Sequence, residues 1–371
     1  MQESQLPGLV TQVLWATFVL AMVFGAVAQR THFCTMGAVA DIVNMGDRTR
    51  MRMWVLAMGV AVLGFNAMVA LGWVQAAQTV YAGPKLIWLS NLLGGLLFGF
   101  GMVLTSGCGS KTLVRIGEGS LKSLVVLIVL GVAAYATLRG ITAVARVATL
   151  DAVAVTLPTG QDLPSLVAAA TGLDKSHMAA VLGGLVGLLM VGWALARPEG
   201  RSADGLLGGL GVGAVIVAVW WVSGRLGHLM EHPVTLEEVF LATNSQRMES
   251  LSFVAPVAYT LDWLILFSDK SKLLTMGIVS CMGVVLGSFV VARAKGTFRW
   301  QGFGGTEDTA NHLVGAVLMG VGGVTAMGCT VGQGLSGIST LALGSFIAVA
   351  GIVAGAVAAL RYQVWRLERL V

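Results

Sequence analysis

The stretch GCTVGQGLSG, Gly328 to Gly337, sits inside a segment with no Asp, Glu, Lys or Arg from Thr309 to Leu360, 52 residues in all. Such a run holds two membrane spans of roughly 20 residues each, with about ten residues left over. The leftover is this stretch. It is uncharged, yet too rich in glycine for a good helix. Irregular backbone at membrane depth persists only where it is buried in protein or lines a cavity. The segment therefore predicts two spans separated by a broken, re-entrant piece.

The rest of the chain agrees. Only 11% of its 371 residues are charged and 56% are hydrophobic, with 50 glycines. A soluble domain carries about 25% charged residues. Glycine is frequent where membrane helices pack closely. Further apolar runs of spanning length lie at about 9–28, 53–74, 86–107, 123–138, 178–196, 205–224 and 273–292. The expected class is an all-α polytopic membrane protein with about nine transmembrane helices plus re-entrant half-helices. The opening MQESQLPG has no basic n-region, so the first run reads as a retained helix rather than a cleaved signal. The excess of five positive charges reads as topology and not as nucleic-acid binding. With nine spans, 15 of the 23 basic residues fall on the side reached after the first helix. The positive-inside rule makes that side cytoplasmic, with the N-terminus outside and the C-terminus inside.

The chain also repeats itself. A shift of 221 residues lays Gly99, Gly101, Gly107 and Cys108 on Gly320, Gly322, Gly328 and Cys329, and Asp41 on Asp262. A shift of 222 lays Asp47 on Asp269. An odd number of spans separates the opening helices of the two copies, so they insert in opposite directions. One membrane domain over 1–371 is expected, with a first half at 9–150, a linking segment with one span at 151–203, and an inverted second half at 204–360. Inverted repeats with interrupted helices are the usual build of a secondary transporter or channel, with the substrate at the repeat interface.

Three of the four cysteines follow a span closely and sit in a polar or glycine-rich break: QRTHFCTMG at Cys34, TSGCGSKT at Cys108 and MGCTVGQG at Cys329. The fourth, Cys281, lies within the apolar run LLTMGIVSCMGVVLG and reads as a small core filler. No CxxC or zinc-ligand spacing occurs. Half-helices starting at the breaks aim free N–H groups and a positive dipole end at the centre, which suits an anion. A neutral thiol adds a weak donor and a soft acceptor, while a thiolate would repel the anion. The expected site is Cys34, Cys108 and Cys329, with Gly107, Gly109 and Gly328 around them. Gln29, His32 and Gln333 lie beside the thiols, as path-lining groups or as hydrogen-bonding groups of the breaks. Lys111 and Arg115 either attract an anion or serve as positive-inside charges.

Two other patterns carry little. GSKT lacks the glycines of a phosphate-binding P-loop. HLMEH, from His228 to His232, has the order of an inverted zinc-protease motif, but Pro233 follows at once. It reads as a surface loop before an interfacial helix at 235–248, capped by Thr235 and Glu238. With no nucleotide-binding motif, transport would run on a gradient or on trapping of the product inside. No cofactor, metal or catalytic residue is expected.

The cysteine breaks and the inverted repeat resemble the YeeE/YedE family of bacterial sulfur-transport inner-membrane proteins, over about 9–360. The resemblance implies an hourglass bundle and uptake of thiosulfate into the cytoplasm. It implies a relay by thiol hydrogen bonds on Cys329, Cys34 and Cys108, starting outside at Cys329 and ending near Cys108. It also implies a small cytosolic sulfur carrier of the TusA type as partner. The run after Cys108 departs from the thiosulfate pattern, with Lys111 and Arg115 and no histidine. The substrate stays open among thiosulfate, related sulfur anions and selenium compounds. The alternative function is a membrane sulfurtransferase-like enzyme carrying a persulfide on Cys108.

Overall fold

The structure, a computed structural model, describes residues 6–233 and 235–369. The segment 1–5, part of the reading of the N-terminus as a retained helix, lies outside the described residues. The chain is helical almost throughout. Its helices are α1 (Leu6–Thr31), α2 (Thr35–Met45), α3 (Thr49–Ala70), α4 (Trp88–Leu104), α5 (Gly109–Gly117), α6 (Leu121–Arg139), α7 (Ile141–Ala148), α8 (Leu163–Thr171), α9 (Lys175–Leu195), α10 (Ala203–Trp221), α11 (Ala255–Ile265), α12 (Met276–Ala294), α13 (Thr306–Thr325) and α14 (Leu343–Glu368). Wide π turns cover Val222–Leu226 and Gly332–Gly337. The only strands among the described residues are two-residue pairs, β1 (Lys85–Leu86) with β2 (Val155–Thr156) and β3 (His228–Leu229) with β4 (Val239–Phe240).

Among the described residues, eight segments are long and apolar enough to cross a membrane. A ninth long helix, α13, begins TEDTANH, which lowers its hydropathy, but it is packed between α4 and α6. The protein is a multi-pass membrane protein. The short run near 123–138 extends to Arg139, as a helix with a basic residue at its end can. The charge-free tail divides as its glycines predict, into α13, a broken segment and α14.

The order long, short, long, long, short, long occurs twice, in α1–α6 and again in α10–α14 with the π turn Gly332–Gly337 as the second short piece. The two sets interlock reciprocally. α1 packs on α12 and α10 on α3; α4 packs on α14 and α13 on α6. Glycines make these approaches possible. A Cβ at Gly99 would lie 2.0 Å from the Ile352 carbonyl oxygen, and one at Gly287 would lie 1.9 Å from that of Met22. Without a hydrophobic driving force between helices in lipid, such backbone approach supplies the packing energy.

One expectation fails. The segment 235–248 is not an interfacial helix. Its residues Val239–Phe240 pair with His228–Leu229 instead. The His228 ring lies 2.7 Å from a Glu238 carboxylate oxygen and stacks on Phe240 at 4.8 Å. These cross-strand contacts outweigh a weak capping signal. They also engage His228 and Glu238 within a hairpin, and no metal-binding cluster occurs among the described residues.

Candidate thiol path and adjacent cavity

The three break cysteines share one local structure. Helix α1 ends at Thr31; His32 then takes φ of 54°, and the Phe33 N–H donates to the Ala28 carbonyl at 3.1 Å. Helix α4 ends at Leu104; Ser106 takes φ of 55°, and the Gly107 N–H donates to Met102 at 2.8 Å. Helix α13 ends at Thr325; Met327 takes φ of 59°, and the Gly328 N–H donates to Gly323 at 2.8 Å. In each case a left-handed residue reverses the chain and the next N–H closes back on the helix end. The cysteine comes next. The left-handed residue is exposed each time, whereas the cysteine is buried.

Each thiol then stands at the head of a short helical piece. The sulfur of Cys34 accepts from the Gly37 N–H at 3.4 Å, and that of Cys329 accepts from Gly332 at 3.4 Å. Sulfur thus takes the N-cap role usually held by oxygen. Cys108 caps α5 only with its backbone, and its sulfur lies 3.2 Å from the Ser110 hydroxyl. Both Cys34 and Cys329 feel the Cys108 thiol electrostatically. Cys281 is buried within α12, as expected of a filler.

Neighbouring groups crowd the three break glycines. A Cβ at Gly107 would meet Lys111 Cγ at 3.2 Å, one at Gly109 the Phe253 carbonyl oxygen at 3.2 Å, and one at Gly328 Gln333 Cγ at 3.1 Å. Gln333 donates its amide to the Ala326 carbonyl, clamping the π turn to the end of α13. The carbonyl oxygens of Gln333 and Gln29 are both buried without a hydrogen-bond partner. Lys111 pairs with Glu118 at 3.6 Å. His32, exposed at the mouth beside Cys34, faces the charges of Lys111, Glu118, Lys295 and Arg50. Arg115 leans over Gly107, its Nη1 3.6 Å from where a Cβ would be.

Sequence reasoning missed Phe253. In the second half it stands near the place of Phe33, in a copy that lacks the cysteine. It is fully buried, packs on Phe24 with ring centroids 5.6 Å apart, and its N–H faces the Cys329 sulfur. Its carbonyl reaches Gly109, so Phe253 lies between the Cys108 and Cys329 breaks. Also missed was a cavity of about 250 Å³ against the Cys329 break. Gly328 and Met327 form part of its wall, together with Tyr81, Arg146, Glu249 and Tyr259. It joins loop segments far apart in sequence, which no local pattern signals.

The chain matches the family described as Sulphur transport over residues 30–358. It is 27% identical to the thiosulfate transporter TsuA of Escherichia coli strain K12, covering 84% of this chain and 83% of that one. It is 26% identical to a thiosulfate transporter TsuA of Spirochaeta thermophila, covering 91% and 94% respectively. A probable transporter YedE of Salmonella typhimurium is 33% identical over 96 residues, 26% of this chain. With residues 30–358 matched, a range that holds all three thiol-headed breaks, this chain belongs to the Sulphur transport family, the YeeE/YedE proteins.

Proposed function

We propose that this protein takes up thiosulfate across the bacterial cytoplasmic membrane by passing the anion along Cys329, Cys34 and Cys108, without covalent chemistry. The observation that carries this reading is the shared break. Three separate helices end in the same turn and present a buried thiol at the start of the next helical piece. Each thiol donates S–H to an oxygen or the outer sulfur of the anion, and the N–H groups nearby offset its charge. The two halves, 9–150 and 204–360, insert in opposite directions, with 151–203 linking them. The N-terminus lies outside and the C-terminus in the cytoplasm. Cys329 then serves the outer side, and Cys34 and Cys108 open towards the basic mouth formed by His32, Lys111 and Arg115. A small cytosolic carrier of the TusA type docks at that mouth as partner.

Growth of a sulfur-auxotrophic bacterium on thiosulfate as sole sulfur source tests the assignment. Cys34→Ala, Cys108→Ala and Cys329→Ala each abolish growth, and Cys281→Ala grows nearly as the parent does. Mass spectrometry of purified protein after thiosulfate exposure separates transport from sulfur transfer. A persulfide on Cys108 that is required for uptake would overturn the non-covalent reading.

A further inference from the structure

The cavity beside Cys329 has a chemistry that the thiol path does not use. Arg146, on α7, is a cation in its wall, and its donors are poorly filled. Its Nε lies 3.3 Å from Asp151 but is buried without a hydrogen bond. Its Nη1 reaches the Val324 carbonyl only at 3.5 Å, the outer limit of a hydrogen bond. Asp151 is already engaged through its other oxygen by the Ser90 hydroxyl at 2.6 Å. Val324 stands at the end of α13, just before Met327, Gly328 and Cys329. The guanidinium therefore sits at the approach to the Cys329 thiol, with hydrogen-bonding capacity to spare.

The same wall carries a carboxyl. Glu249 accepts from the Ser245 N–H at 2.9 Å, and its own N–H donates to the Ser223 hydroxyl. Among the described residues it forms no ion pair. The groups that face its part of the cavity are Tyr81 from the segment after α3, Tyr259 from α11 and Arg146 from α7. Arg139 faces Tyr259 from the end of α6. Arg247, on the same loop as Glu249, is turned to the Thr79 carbonyl at 3.3 Å. Burial raises the Glu249 carboxyl above the usual carboxylate range. A space of about 250 Å³ holds a small oxyanion together with several waters, each taking about 30 Å³.

We propose that this cavity is an anion-entry chamber in which Arg146 binds the incoming oxyanion and Glu249 admits it only when protonated. The proposal rests on the transport reading above. An ionised Glu249 repels a dianion from the chamber, and a neutral one offers it an O–H donor. Occupation of the chamber by the anion in turn favours the protonated carboxyl. Uptake consequently rises as the outside becomes more acidic, through KM rather than through the maximal rate.

The test measures labelled thiosulfate uptake into proteoliposomes at external pH 5.5 and 7.5, for the parent protein, Glu249→Gln, Arg146→Gln, Arg146→Lys and Arg366→Gln. The parent has a lower KM at pH 5.5. Glu249→Gln keeps that low KM at both pH values. Arg146→Gln raises KM about tenfold at unchanged maximal rate, as expected for loss of a charge-assisted contact. Arg146→Lys recovers part of it, and Arg366→Gln behaves as the parent. Calorimetric binding of thiosulfate to the same purified proteins gives an independent readout. A Glu249→Gln protein with the parent's pH profile overturns the proposal, as does an Arg146→Gln protein with the parent's affinity. A parent that binds with this dependence but moves no thiosulfate keeps the chamber and removes the transport reading.

Discussion

Gly107 and Gly328, 221 residues apart, close the same turn. Each donates its N–H over 2.8 Å to the carbonyl five residues upstream, and each is preceded by a non-glycine residue at positive φ. Left-handed backbone costs an L-residue roughly 1–2 kcal/mol, which glycine avoids. Ser106→Gly and Met327→Gly are therefore neutral or slightly stabilising. Ser106→Val and Met327→Val destabilise by about 1–2 kcal/mol, because a β-branched side chain fits this region worst. Thermal unfolding in detergent orders the variants, and a valine variant as stable as the parent would remove the argument.

How much of this was legible follows from which forces act locally. A bilayer forbids stray charges, so the long helices and the break at Gly328–Gly337 stand out in the residues themselves. The repeat marks Cys108 and Cys329 as counterparts. The turn before them does not stand out, because its left-handed positions hold His32, Ser106 and Met327 where glycine is the usual signal. Phe253 was hidden because the second copy of the first break has lost its cysteine. Arg146 and Glu249 were hidden because only tertiary packing brings them to one cavity. The failed helix at 235–248 has the same cause, since Glu238 is held by His228 across a strand pair.

Gly99 tests the packing of α4 on α14. A side-chain carbon there would meet the Ile352 carbonyl at 2.0 Å, and rigid backbone cannot yield as a flexible side chain can. Gly99→Ala forces the helices apart, at a cost of about 1–3 kcal/mol or more. Gly184, where a Cβ meets nothing within 4 Å, is the control. Size-exclusion profiles and thermal unfolding should show Gly99→Ala impaired and Gly184→Ala unchanged.

Asp47 and Asp269, counterparts at a shift of 222, both accept the N–H of the residue two positions on, Thr49 and Ser271, at 2.9 Å. The Thr49 hydroxyl, which donates to Asp47 at 2.7 Å, and then the Thr49 N–H hold the Asp47 carboxyl below the ordinary carboxylate range, and the Ser271 N–H does the same for Asp269. A depressed folded-state pKa adds stability above the unfolded value, near 3.8, and that stability is lost as pH falls through the folded value. The parent should therefore lose melting temperature below about pH 4. Asp47→Asn and Asp269→Asn should each flatten that acid limb and leave the neutral-pH melting temperature only slightly changed. Unfolding curves from pH 3 to 7 decide it, and an acid limb of parental steepness in the double variant would refute the attribution.

Phe253 lies between the Cys108 and Cys329 breaks. Its N–H meets the Cys329 sulfur, its carbonyl meets Gly109, and its ring packs on Phe24. The ring is fully buried, so on the path proposed above it must shift as the anion passes between the Cys329 and Cys108 breaks. Phe253→Ala removes the ring and keeps both backbone contacts. Deleting a buried phenyl costs about 3–5 kcal/mol of stability, part of which returns if water fills the space. The expected phenotype is a leak: iodide should enter proteoliposomes carrying Phe253→Ala and be excluded by the parent. Phe253→Leu, which keeps most of the apolar bulk, should seal nearly as well. Fluorescence quenching of an iodide-sensitive dye inside the vesicles measures this directly. An Ala variant that folds, transports and admits no iodide would show that the seal lies elsewhere along the path.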